Sequence, residues 1–170
     1  MQEALAQQAN ALRRQSRAGT WVASKNMHVT LRFLGEVPEA QRTELQAVGH
    51  AVAQSSESFN LTLTRLGAFP SPRRARVLWA GTDKESPQFA TLARRLEESV
   101  QRLGFPPEEK DPIPHVTLAR FRPPVDLTPV LAGQVLAPLV VAARELTLMH
   151  SELRPQGPVY TPVARWPLGG

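Results

Sequence analysis

The chain has 170 residues, 42% hydrophobic and 21% charged, with a formal net charge of +5 at pH 7. That composition suits one soluble domain or two small lobes with a buried core, and no apolar run approaches the roughly 20 residues of a membrane span. There is no cysteine, which excludes disulfide scaffolds, thiolate catalysis, cysteine-ligated zinc and iron–sulfur clusters.

Residues 3–17 predict a helix, with Leu5, Ala9 and Leu12 on one stripe and Gly19 just past the end. This first segment, MQEALAQQANALRRQ, reads as a helix rather than a signal peptide, so a cytoplasmic location is expected. Trp21, Val22 and Ala23 form a short extended piece. Residues 27–34 alternate as a strand, setting His28, Thr30 and Arg32 on one face and Val29, Leu31 and Phe33 on the other, and Gly35 ends it. Pro38 opens a helix through about residue 54. A strand over 59–69 turns at FPSPRR into a second strand, ARVLWAG, and Pro87 opens a helix closed by Gly104. The proline-rich connector FPPEEKDPIP delivers a strand at 115–121, followed by a short helix near 127–135 and strands at about 139–149 and 158–166.

One tetrapeptide occurs twice. HVTL stands at residues 28–31 and again at 115–118, so two of the four histidines sit in matching settings 87 residues apart, about half the chain. Four letters alone are weak, but both copies fall in the same succession of helix, HVTL strand, helix and long strand. A duplicated, two-lobed α+β domain is expected, with halves of about 1–72 and 73–170. By the same logic the first half lacks a counterpart to ARVLWAG ahead of its first helix. Either that strand lies upstream, or the first-half sheet has an edge another segment must cover.

On a strand, residues i and i+2 share a face, so each motif presents an imidazole beside a hydroxyl. Two such pairs facing a cleft supply a proton acceptor, a proton donor and hydrogen bonds for phosphoryl oxygens, a set suited to in-line displacement at phosphorus without a metal. Two other readings compete: the histidines as hydrogen-bonded sheet residues, and the histidines as metal ligands. A zinc site needs at least three protein ligands, and Asp111 is the only carboxylate near the entry to either motif. His50 and His150 lack a threonine two residues on and read as structural or surface residues.

Of the basic residues only Lys25, Lys84 and Lys110 are lysine; the rest are arginine, whose planar fork suits phosphate, though arginine-rich coding is an equal explanation. Arg73, Arg74 and Arg76 form a basic hairpin tip, usable on a nucleic-acid backbone or simply solvated. Arg32 shares the face of His28. Arg120 has the opposite parity to His115 and joins that face only through a bulge near Ala119. Trp21, Trp79 and Phe33 read as core residues more than as base-stacking surfaces, with one first-half aromatic left to line the cleft.

NMHVTLRFLGEV, LGAFPSPRRARVLWAG and GFPPEEKDPIPHVTLARF together resemble the two-histidine phosphoesterase superfamily, and more narrowly the bacterial RNA 2′,3′-cyclic phosphodiesterases, also described as 2′-5′ RNA ligases. The likeness covers nearly the whole chain. It implies a duplicated bilobal fold with two antiparallel sheets, helices on their outer faces and a central cleft. It further implies that His28 donates and His115 accepts a proton, that Thr30, Thr117 and Arg120 hold the phosphate, and that a 2′-phosphomonoester is the product. No cofactor or metal is implied. A monomer is expected, and its partner is RNA ending in a 2′,3′-cyclic phosphate, or a cyclic nucleotide. Family members usually begin with a strand of the type RLFVAL, which this chain lacks. The alternatives are 2′-5′ ligation by the reverse reaction and a non-catalytic RNA- or nucleotide-binding module of the same fold.

Overall fold

The computed structural model describes residues 2–16, 18–82, 85–154 and 157–169. Helix α1 (Gln2–Gln15) sets Leu5, Ala9 and Leu12 on one helical stripe, and all three are buried. Its expected end at residue 17 falls outside the described set. In β1 (Thr20–Trp21) the strand is short, and Val22 extends its contact by donating its N–H to the Leu118 carbonyl at 2.9 Å. Pro38 is extended (φ −57°, ψ 138°) and stands just ahead of a 3-10 turn, Glu39–Gln41, that runs into α2 (Arg42–Gln54).

The run over 59–69 divides at Thr64 into β2 (Phe59–Leu63) and β3 (Arg65–Phe69). Next come β4 (Ala75–Gly81) and α3 (Pro87–Arg102). The start of α3 is capped by the Ser86 hydroxyl, which accepts the Phe89 N–H at 3.4 Å, and Gly104 (φ +91°) lies just past its end. β5 (His115–Val125) follows, then the single turn α4 (Thr128–Leu131), shorter than expected. The run over 139–149 also divides, at Arg144, into β6 (Leu139–Ala143) and β7 (Glu145–Arg154), before β8 (Gly157–Pro167). In both divided runs the alternation breaks at the division, and the hydrogen-bond partner changes there. β2 pairs with β6, and β3 with β4.

The fold is α+β, with helices against antiparallel sheets. The described strands form a four-stranded sheet in the order β1-β5-β4-β3 and two pairs, β2-β6 and β7-β8. The main core gathers α1, α2 and α3 side chains against the inward faces of β2, β4 and β5. Val116, Leu118 and Phe121 of β5 are almost wholly buried there, each worth about 1.5–3 kcal/mol. The strand that carries the second HVTL is thus fixed from behind. Among the described residues no helix is long and apolar enough to cross a membrane.

The first HVTL corrects one expectation. Residues 27–34 form no strand; their sheet contact is one antiparallel bridge, Val29 to Val116. The reason lies in the partner. Beyond His115 the β5 edge continues into Pro114 and Pro112, which have no N–H to give a ladder, while Leu118 is already bonded to Val22. Only a few residues of edge remain for the motif.

Candidate active site

β5 turns one face to the core and the other outward. Its register with β4 shifts between Ala75 and Val77 and again between Leu78 and Trp79; at the second shift Ala119 stands opposite Leu78 and Thr117 opposite Trp79, leaving Leu118 as an extra residue. Leu118 and Ala119 are consequently both buried, and Arg120 emerges on the face of His115 and Thr117. Along its neighbouring edge the Val29–Val116 bridge sets the two HVTL segments antiparallel, so that one residue further either way His28 comes beside Thr117 and Thr30 beside His115. The repeated motifs, 87 residues apart in sequence, are immediate neighbours.

His28, Thr30, Thr117 and Arg120 line one pocket, together with Val22, Asn26, Pro158 and Tyr160; the void is about 350 Å³ and open to solvent. His115 is not among its lining residues. It stands one step along the same face, its ring edge-on to Phe69 (centroids 5.2 Å apart) and to Trp79 (6.2 Å). Trp79 is itself buried, lies 5.1 Å from Phe69, and fits because residue 67 is glycine: a Cβ there would overlap the indole.

Both imidazoles are tethered in the same way. His28 Nδ1 lies 2.7 Å from the Asn26 carbonyl oxygen, and His115 Nδ1 lies 2.6 Å from that of Ile113, in each case two residues back. A carbonyl oxygen only accepts, so each Nδ1 carries the hydrogen and each Nε2 is left for chemistry. The surroundings differ. Burial against the aromatic wall pushes the His115 pKa below the ordinary imidazole value; the bond to Ile113 opposes this, and the charges of Arg120 and His28 add to it. The shift favours the neutral form of the His115 imidazole. Tyr160 of β8 packs edge-on against His28, with centroids 4.8 Å apart. Nothing local in the sequence points to Tyr160; it arrives through the β7–β8 hairpin, which seats Trp166 against Gly49 of α2.

Arg32, expected on the face of His28, turns away from the pocket. Its side chain is 8% exposed; Nε lies 2.8 Å from a Glu97 carboxylate oxygen, and the guanidinium also bonds the Glu108 carboxylate and the Pro106 and Phe33 carbonyls. Burial pushes the Glu97 carboxyl up, but bonds from the Gln101 amide, the Glu108 N–H and Arg32 bring it below its ordinary value. This network ties the first motif to α3 and to the connector that leads into the second. Phe33, expected in the core, is 72% exposed. Arg73, Arg74 and Arg76 are exposed at and beside the turn before β4, and His50 and His150 are exposed on α2 and β7. Among the described residues no three His, Asp or Glu side chains are grouped to hold a metal ion.

The pattern of the LigT like phosphoesterase family matches residues 1–79 and 81–160. A protein of Methanothermobacter thermautotrophicus named RNA 2′,3′-cyclic phosphodiesterase is 36% identical over 146 residues, 83% of this chain and 78% of that one. Among solved structures, a protein of Thermus thermophilus superposes with a TM-score of 0.83 at 32% identity, covering 99% of this chain and 92% of its own. E. coli LigT complexed with 3′-AMP superposes with a TM-score of 0.76 at 28% identity, covering 99% and 92%.

Proposed function

This chain belongs to the LigT like phosphoesterase family, and from that premise we propose that it hydrolyses RNA-terminal 2′,3′-cyclic phosphate to a 2′-phosphomonoester, with two histidines and no metal. The matched tethering of His28 and His115 beside Thr117 and Thr30 carries the reading.

His115 Nε2, neutral, takes a proton from water. The oxygen forms its bond to phosphorus as the P–O3′ bond breaks, and His28 Nε2–H delivers a proton to the departing O3′. The phosphate keeps its bond to O2′, and one proton has passed in and one out. Thr30 and Thr117 donate hydroxyl hydrogens to the non-bridging oxygens, and Arg120 offers a charged fork to the same group. The lowered pKa of His115 supports its role as acceptor.

Chromatography of the products from an oligonucleotide ending in 2′,3′-cyclic phosphate tests this. The 2′-phosphomonoester is expected, with turnover unaffected by EDTA and reduced about 10²- to 10⁴-fold in both His28→Ala and His115→Ala. Wild-type rates in either variant, or a 3′-phosphate product, would overturn the assignment. Because both rings are tethered alike, each can give or take the proton, so the same site also supports the reverse reaction; a 5′-hydroxyl RNA at high concentration would then yield a 2′-5′ linkage.

A further inference from the structure

We infer that a row of arginines leading away from the catalytic pocket, Arg120, Arg122, Arg73 and Arg74, holds the phosphodiester backbone of the nucleotides that precede the cyclic phosphate. The preferred substrate is then single-stranded RNA and not a cyclic mononucleotide; this rests on the reaction proposed above. The row follows β5. Arg120 lines the pocket that holds His28 and the two threonines. Arg122 stands two residues on, about 7 Å along the strand, and Phe121 between them is turned into the core. Arg120 and Arg122 therefore share the outward face, and both are exposed. β5 ends beside the turn before β4: Val125 pairs with Ala75, and the Leu127 N–H is donated to the Pro72 carbonyl at 2.8 Å. That contact puts Arg73 and Arg74, both exposed, at the far end of the row.

The placement of charge says what the row binds. The strands of the four-stranded sheet carry four arginines and no Asp or Glu. The β7–β8 pair is the contrast. There each arginine has a carboxylate, Arg154 with Glu152 at 2.9 Å and Arg165 with Glu145 at 3.4 Å. Arginine-rich coding accounts for the number of guanidinium groups and not for their separation from carboxylates. Among the described residues Arg74, Arg120 and Arg122 hold no carboxylate. One acid lies at the far end: Asp126 accepts the Thr128 N–H at 2.8 Å and sits in the field of Arg73, offsetting part of that charge. A linear polyanion that starts at the phosphate site meets these forks in turn. Such contacts grip the backbone and read no base, so the row selects for chain length and not for sequence.

The test follows kcat/KM against salt for an oligouridylate ending in 2′,3′-cyclic phosphate and for 2′,3′-cyclic UMP, which has no preceding phosphate. Each phosphate neutralised on a single strand adds about 0.7 to the log–log slope, so the three arginines beyond the pocket should make the oligomer steeper by about 2. Its preference over the mononucleotide should then fall about 20-fold between about 50 and 200 mM salt. Arg73→Gln/Arg74→Gln/Arg122→Gln should abolish the difference in slope and leave turnover of cyclic UMP unchanged. Arg94→Gln/Arg102→Gln should keep the difference, since it removes exposed charges from α3, which packs on the core face of the sheet. Equal slopes for the two substrates in the wild type overturn the row as an RNA site, as does tighter binding of oligoglutamate than of oligouridylate. A steeper oligomer slope that survives in the triple variant overturns it too. None of these outcomes touches the reaction. Turnover of neither substrate overturns the reaction, and equilibrium binding of a labelled oligouridylate ending in a 2′-phosphate then decides the row by the same slopes.

Discussion

Replacing Arg32 by alanine removes the guanidinium that bridges two carboxylates and two carbonyls, and both stability and turnover should register the loss. The side chain is 8% exposed, whereas its partners Glu97 and Glu108 are 23% and 42% exposed. Breaking a fully buried pair costs about 3–5 kcal/mol; with both carboxylates still reached by water, about 2 kcal/mol is the appropriate figure. For a chain of this length that corresponds to a fall in Tm of about 4–8 °C. The effect on turnover has a separate origin. The segment carrying His28 touches the sheet through one bridge and packs Met27, Val29 and Leu31 on the core; the Arg32 network fastens it further, and its loss lets the imidazole shift within the proposed site. A drop of about 10-fold in kcat is expected, with a smaller change in KM, since misplacement by about 1 Å costs as much as 10²-fold. Arg32→Lys, which keeps the charge but not the fork, should fall between. Thermal denaturation and steady-state kinetics on 2′,3′-cyclic AMP measure both. A folded Arg32→Ala with wild-type kcat, whatever its Tm, would refute the idea that this network positions His28.

Three further outcomes follow from the wall behind His115. Because its folded pKa lies below the ordinary imidazole value of about 6.5, the acid limb of the kcat/KM profile should fall below that value. The same shift makes the unfolded chain the better proton acceptor, so the contribution of His115 to stability is present above about pH 6.5 and lost as the pH drops through it; denaturant midpoints across pH 5–8 should show this slope, and His115→Gln should flatten it. Gly67→Ala drives a Cβ into the Trp79 indole, which should cost about 1–3 kcal/mol and, by loosening the wall, move the acid limb upward; an unmoved limb in the folded variant would separate Trp79 from the His115 shift.

The sequence carried more of the site than of the connections. Alternation within each HVTL put an imidazole and a hydroxyl on one face, and parity left Arg120 dependent on a bulge, which the register slip at Leu118 supplies. The strand expected over 27–34 failed because periodicity reports which face is buried and not whether a partner has edge to spare; Pro112 and Pro114, visible in the sequence, already limited that edge. Arg32 was placed by the same alternation and escaped it, since a long side chain on a segment that forms no strand follows its carboxylates. Phe33 reads as core by parity and is exposed because no described element covers it. Tyr160 and Trp21 depend on a hairpin and a sheet edge brought together across more than a hundred residues, and no local pattern encodes that meeting.

The identical tethers on the two histidines have one more consequence. Each ring is locked in the same tautomer by its own backbone, so nothing within the repeated motif tells acid from base. In the proposed reaction the distinction comes from unlike neighbours: Phe69 and Trp79 against one ring, a tyrosine against the other. Under the proposed reaction, moving the aromatic wall from behind the second histidine to behind the first should exchange the parts the two rings play.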